Sequence, residues 1–398
     1  MRSIERIPLV SLAALVAFVG GADSAIAADA EGKAAARVER VWLTHQSPDP
    51  AKIVVSWETT APGDSVVEFG TSAGLGETVW VPGSRHLHHV EIPLETKDAL
   101  YHYRVRSGAQ VSDIATFKAY PTKQLRIAVV ANIRADAKLD FTAIRREDVH
   151  LLISAGDTAM QYEFGTEGDP ESTGSHGKLI DTQAELFRST PFMPSLGNLD
   201  RKIRPKSPGP GIPAYDISAT GYRKFFALPG KEWLWAFDIP DFDLRVISVD
   251  MSHTGDFGTP NQSCHPFDED SQQLKWYGQT MGATTAGFVI TLFGETGLKV
   301  RRHADGAWKR LIEKGSIAIS GECYHAERTV VDGFTYYNSS VRGNGTFGID
   351  PDAAFLDKGA SYLLLTFDRG AERVSVALKA LGDGRVLDQQ TFPKRARK

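Results

Sequence analysis

The sequence predicts a small all-β sandwich followed by a larger α/β layered domain. Two observations predict it. From Val38 to about Tyr120, short stretches of alternating apolar and polar residues are broken by turn residues, with no helical period among them. After the segment "YPTKQ", continuous β-branched runs such as "LRIAVVAN" and "VHLLISAGD" take over and alternate with helical patterns, as strands buried on both faces require.

The 398 residues are 42% hydrophobic and 24% charged, which suits two domains with real cores and excludes disorder as the default. Arg2 and Arg6 precede the apolar stretch "IPLVSLAALVAFVGG", and "SAIA" follows with Ala25 and Ala27 as small residues before a cut. That order predicts a signal peptide over 1–27, hence an exported protein, periplasmic, extracellular or secreted, with no transmembrane anchor after cleavage. Its removal takes Arg2 and Arg6 together with Glu5 and Asp23, so the formal net charge stays at -4 and no basic nucleic-acid footprint exists. Cys264 and Cys323 are too few for a cysteine cage; a disulfide between them and two separate thiols both stay open.

In order, residues 38–120 carry the strand patterns "KIVVSWET", "SVVEFG", "HHVEIPL", "YHYRVRSG" and "DIATFKA". His86 and His88 fall on one face of their strand and His89 on the other, which argues against a shared metal there. Residues 124–386 supply the strands "LRIAVVAN", "VHLLISAGD", "FMPSLGN", "LRVISVD", "GFVITLFGE" and "GSIAISGE". Helices are expected in "GSHGKLIDTQAELFRST", "DSQQLKWYGQTM" and "RHADGAWKRLIEKG", and a hairpin in "SYLLLTFDRGAERVSVALKA". Residues 387–398, ending "KRARK", read as a solvated basic tail.

In layered α/β sheets functional groups gather at the carboxyl ends of strands. Those ends carry Asn132, then Asp157 with Tyr162 nearby, Asn198, Glu295, and finally Glu322, Tyr324 and His325 in "SGECYHAERT". Oxygen donors delivered by separate strands suit a metal-ion site for phosphoester chemistry. Arg201, Lys202, Arg204 and Lys206 follow Asn198 directly on a Pro/Gly-rich loop, a cluster that could hold a phosphate or sulfate group.

These residues resemble the purple acid phosphatases, within the calcineurin-like metallophosphoesterases. "VVSWET", "VVEFG" and "YHYRV" look like that family's N-terminal fibronectin-type-III-like strands, and "GDTAMQY", "LGNLD", "YRKFFALPG", "AFDIPDFDLRVISVD", "QQLKWY" and "SGECYHAERT" continue the likeness over nearly the whole mature chain. The resemblance implies hydrolysis of a phosphomonoester at a metal centre. The chain departs from the family's pattern at six residues. Asn132 stands where the family has its first Asp ligand, and Tyr162 lies two positions later than the tyrosinate. Leu199 replaces the His that assists the leaving group, and Glu295 replaces a His ligand. Glu322 and Tyr324 replace the histidines of the last motif when read without a gap. A shifted reading makes His325 the terminal ligand instead; the ungapped one is preferred because Glu327 and Arg328 keep their places, and a one-residue slip turns a side chain to the opposite face.

What the resemblance then implies is a single site on Asp157, Asn198, Glu295 and Glu322. Three carboxylates and an amide favour Ca, Mg or Mn over Fe or Zn. Asn132, Tyr162, Tyr324 and His325 are weaker ligand candidates. No catalytic residue is assigned, since Leu199 can donate neither a proton nor a hydrogen bond and His325 has a place only in the shifted reading. The expectation is a metal-dependent phosphoric monoester hydrolase of weak activity or none. The alternative is a non-catalytic exported binding or structural protein without metal, binding phosphate-like anions, with Glu322 paired to Arg328.

Overall fold

The computed structural model describes residues 36–164, 168–207 and 209–395. The expected signal peptide, residues 1–27, lies outside the described residues. The described residues form one compact unit.

Two of the expected short strands merge: "KIVVSWET" and "SVVEFG" are halves of one 19-residue strand, Lys52–Gly70. Its first half pairs with Val38–Thr44, its second with Leu100–Ser107, and Glu77–Pro93 runs along both halves. The register shifts between Glu58 and Ser65 let the two halves diverge. Ile53, Val55 and Trp57 from one half then share a core with Val67 and Phe69 from the other. The result is a six-stranded antiparallel sheet with its own core.

The histidines of this sheet are structural. His88 is buried, stacks on Trp57 with ring centroids 4.6 Å apart, and is hydrogen-bonded to Ser65 and Thr59. His86 meets the Thr59 carbonyl and His89 meets Ser56. Trp42, on the first strand, belongs to the larger core and stacks on Phe225 at 4.2 Å.

The remainder is built on two sheets. One has six strands, in the order Val386–Pro393, Arg373–Ala380, Ser361–Asp368, Gln124–Val130, Leu151–Ser154 and Phe192–Pro194. The other has seven: Trp235–Ile239, Leu244–Ser248, Phe288–Phe293, Ile317–Ser320, Phe334–Asn338, Ala326–Val331 and Ala353–Asp357. The last three strands of the first run parallel, as do the second to fifth of the other. Buried Val, Ile, Leu and Phe from both sheets join one core.

The helix "DSQQLKWYGQTM" forms at Gln272–Ala283, where the Ser271 hydroxyl accepts the Leu274 N–H as a cap. "GSHGKLIDTQAELFRST" instead splits into Gly174–Thr182 and Ala184–Phe187, because Gln183 leaves helical geometry and its amide bonds the Leu139 carbonyl. The hairpin expected late in the chain is present, Ser361–Asp368 paired with Arg373–Ala380. The basic tail begins otherwise than expected: Val386–Pro393 is an edge strand, and Arg395 is bonded to the carbonyls of Thr284 and Ala286.

Candidate functional site

The parallel strands of both sheets deliver their carboxyl ends to one place. From the first sheet come Asn132, Asp157 and Asn198; from the second come His253, Glu295 and Glu322. A glycine precedes four of these residues: Gly156, Gly197, Gly294 and Gly321. Two of the four are required by close approach. A Cβ on Gly197 would sit 2.2 Å from the Asp157 nitrogen, and one on Gly321 would sit 2.4 Å from the Ala131 Cβ. Asn132 and Asp157 themselves adopt left-handed backbone, at φ 61 and 55. Asn and Asp tolerate that region better than branched residues, and such positions concentrate at functional sites.

Loops bind to loops here. The Asn132 N–H donates to Gly156 O, Arg134 N–H to Asp157 O and Ala135 N–H to Thr158 O. The Asn132 amide nitrogen donates to Gly321 O and to the Ser340 hydroxyl, which ties the sheets together and leaves only its buried Oδ1 without a partner. Asp200, buried after "LGN", accepts from Thr158 N–H and hydroxyl, Ala159 N–H and Gly197 N–H. Burial and the neighbouring Asp157 push its pKa up to about 6 despite those donors.

At the centre, Asp157 accepts the Leu199 N–H at one oxygen, and its other oxygen lies 3.7 Å from the Arg134 guanidinium. Arg134 also donates to the Tyr324 hydroxyl. The side chain of Lys202 lies 5.0 Å from the Tyr162 ring and 5.9 Å from that of Tyr215; burial lowers its pKa, while Asp157 acts the other way. Glu322 is 3.4 Å from His253, and burial, then Asp157 and Glu295, push its pKa up to about 8. The Asn198 amide nitrogen reaches the Tyr215 hydroxyl at 3.5 Å, and its buried Oδ1 has no partner.

Several expectations are corrected by this geometry. Glu295 is present but its oxygens are taken: one accepts from the Thr296 N–H and Lys299, the other from the Thr254 N–H and hydroxyl. Burial opposes its charge, yet those donors hold its pKa below the ordinary value. Arg201 is no part of an anion-binding mouth, because its fully buried guanidinium forms an ion pair with Asp250. Of its companions, Lys202 interacts with Asp157, Arg204 lies beside Gly168 and Lys206 is exposed. His325 is buried against Glu327 at 3.3 Å, whereas Glu322 and Tyr324 reach the groups around Asp157. Arg328 pairs with Asp388, so it is not the partner of Glu322. Both cysteines are buried free thiols.

A dinuclear metal centre does not fit these residues. Among the described residues no three His, Cys, Asp or Glu side chains are grouped to hold an ion. Two of the carboxylates already face cations of the chain itself: Asp157 lies 3.7 Å from Arg134, and Glu295 is paired with Lys299. Arg134 and His253 occupy no motif position; the signal that marks them in the sequence is that both lie within a few residues of a strand end.

No protein-family model and no curated protein matches the chain. Solved structures do. A purple acid phosphatase, PPD1 from yellow lupin (Lupinus luteus) seeds, superposes with a TM-score of 0.66 at 14% identity, over 90% of this chain and 74% of that one. The structure of PhoD superposes with a TM-score of 0.59 at 11% identity, over 90% of this chain and 92% of that one. The chain therefore shares its fold with a purple acid phosphatase and with PhoD.

Proposed function

We propose that the chain is an exported phosphoesterase-fold protein that binds a phosphomonoester at the strand-end centre around Asp157 and hydrolyses it slowly or not at all. The convergence of Asp157, Asn198 and Glu322 from parallel strands of two sheets carries this reading. The fold shared with a purple acid phosphatase and PhoD supports it. Within the same reading, residues 1–27 are a signal peptide and the N-terminal sheet is a fibronectin-III-like module. Among the described residues no helix is long and apolar enough to cross a membrane.

Slow turnover follows from two residues. Leu199 offers the leaving group neither proton nor hydrogen bond. Glu322, with its raised pKa, carries a proton at neutral pH and is the acid at hand. Phosphomonoester hydrolysis, assayed with and without divalent ions in wild type and Asp157→Asn, tests the reading. Turnover lost in Asp157→Asn supports a slow enzyme; binding without turnover supports the non-catalytic form. Neither binding nor turnover overturns the proposal.

A second reading is one divalent ion, Ca, Mg or Mn, on Asp157, Asn198 and Glu322. The buried, unpartnered Asn198 Oδ1 favours it, since a hard cation seeks such an oxygen. Metal analysis of protein prepared without chelator decides it: a stoichiometric divalent ion supports this second reading, and its absence rejects it.

A further inference from the structure

We infer that Arg134 and Lys202 together form a metal-independent grip for the phosphoryl group of a phosphomonoester, supplying from side chains the positive charge a metal would bring. The inference rests on the proposed phosphomonoester site and specifies how that site holds its ligand.

Both cations are underused by the protein. Arg134 lies 3.7 Å from Asp157, outside hydrogen-bond distance, and its buried Nε has no partner. A guanidinium presents five donors in a rigid fork suited to two phosphate oxygens. Its orientation is fixed from two sides, by its bond to the Tyr324 hydroxyl and by that ring 4.9 Å from the guanidinium carbon. Lys202 has no carboxylate within ion-pair distance among the described residues and is held by the rings of Tyr162 and Tyr215. An ammonium on aromatic faces keeps its charge at some cost in hydration, which an anion restores.

The two cations come from different strand-end loops, one after Gln124–Val130 and one after Phe192–Pro194, and both interact with Asp157. Without ligand Asp157 faces Arg134, while Lys202 sits over Tyr215, whose hydroxyl meets Asn198 next to the Leu199 N–H bonded to Asp157; phosphoryl oxygens then take over as partners of Arg134. Elsewhere on the "DRKIRPK" loop Arg201 is consumed by Asp250 and Lys206 faces solvent.

The test is calorimetric titration of the full chain with phenylphosphonate, a non-hydrolysable monoester analogue, in buffer containing EDTA. Wild type is expected to bind, with Arg134→Gln and Lys202→Gln each weakening affinity by about tenfold or more. Lys206→Gln is expected to leave it unchanged. Because Lys202 is half-buried on a loop, its variant stays informative even where Arg134→Gln fails to fold. Binding that vanishes in EDTA and returns with Mg, Mn or Ca overturns the inference while keeping the phosphomonoester site. Binding in EDTA that neither substitution weakens also overturns it. Absence of binding under every condition rejects the underlying site and the inference with it.

Discussion

Arg201 and Asp250 form a two-pronged ion pair whose side chains are both wholly inaccessible to solvent, with Arg201 Nη1 2.9 Å from Asp250 Oδ2. Asp250 also accepts from the His265 backbone and ring. Burial opposes the Asp250 charge, but Arg201 and then His265 outweigh it and hold its pKa down at about 2. The residue that directly follows "GNLD" is thereby a structural bolt between two strand-end loops.

Replacing Arg201 with Met is expected to cost about 3–5 kcal/mol of unfolding free energy, because it strands a buried carboxylate. Arg201→Lys recovers only part of that loss, since an ammonium cannot make the fork. Denaturant titration of the three proteins measures both effects. Asp250 adds a pH dependence: with its folded pKa depressed, its stabilisation is complete above the unfolded value of about 3.9 and is lost as pH falls towards about 2.

Glu322 gives the opposite slope. Its folded pKa, about 8, lies above the unfolded value of about 4.3. Its contribution is therefore complete below about pH 4 and is lost as pH rises through about 8. Glu322→Gln is expected to flatten this dependence and to raise alkaline stability on the order of 1–3 kcal/mol. Urea unfolding at a series of pH values checks it; an unchanged slope in the variant contradicts the placement of this acid beside Asp157.

Trp42 links the N-terminal sheet to the larger core, fully buried and stacked on Phe225 at an interplanar angle of 6°. Trp42→Ala is expected to destabilise the chain by about 3–5 kcal/mol, the usual range for a buried aromatic removed from a core. Chemical denaturation followed by far-UV circular dichroism reads the loss.

Chelation is expected to leave the thermal midpoint unchanged, because Asp157 already faces Arg134 and Glu295 already pairs with Lys299. A ligand that binds only the folded state raises the midpoint in proportion to its occupancy. A midpoint that falls in EDTA and recovers with Ca, Mg or Mn therefore favours the single-ion reading.

The sequence by itself determined the strands and where chemistry could sit. Runs such as "LRIAVV" and "FVITLF" are apolar on both faces, so they fit only the interior of a sheet, and their ends had to carry Asn132, Asp157, Asn198, Glu295 and Glu322. What each of those groups faces was decided by tertiary structure. Direction turns on single residues: in the loop before Ala326–Val331, Tyr324 reaches Arg134 while His325, one position on, is buried against Glu327. Partner choice turns on loops far apart in sequence, which is why Glu295 is filled by Thr254 and Lys299 and Arg201 by Asp250. A motif names the donor atoms, but only packing sets the distances between charges, and those distances determine whether a carboxylate waits for an ion or already holds a side chain.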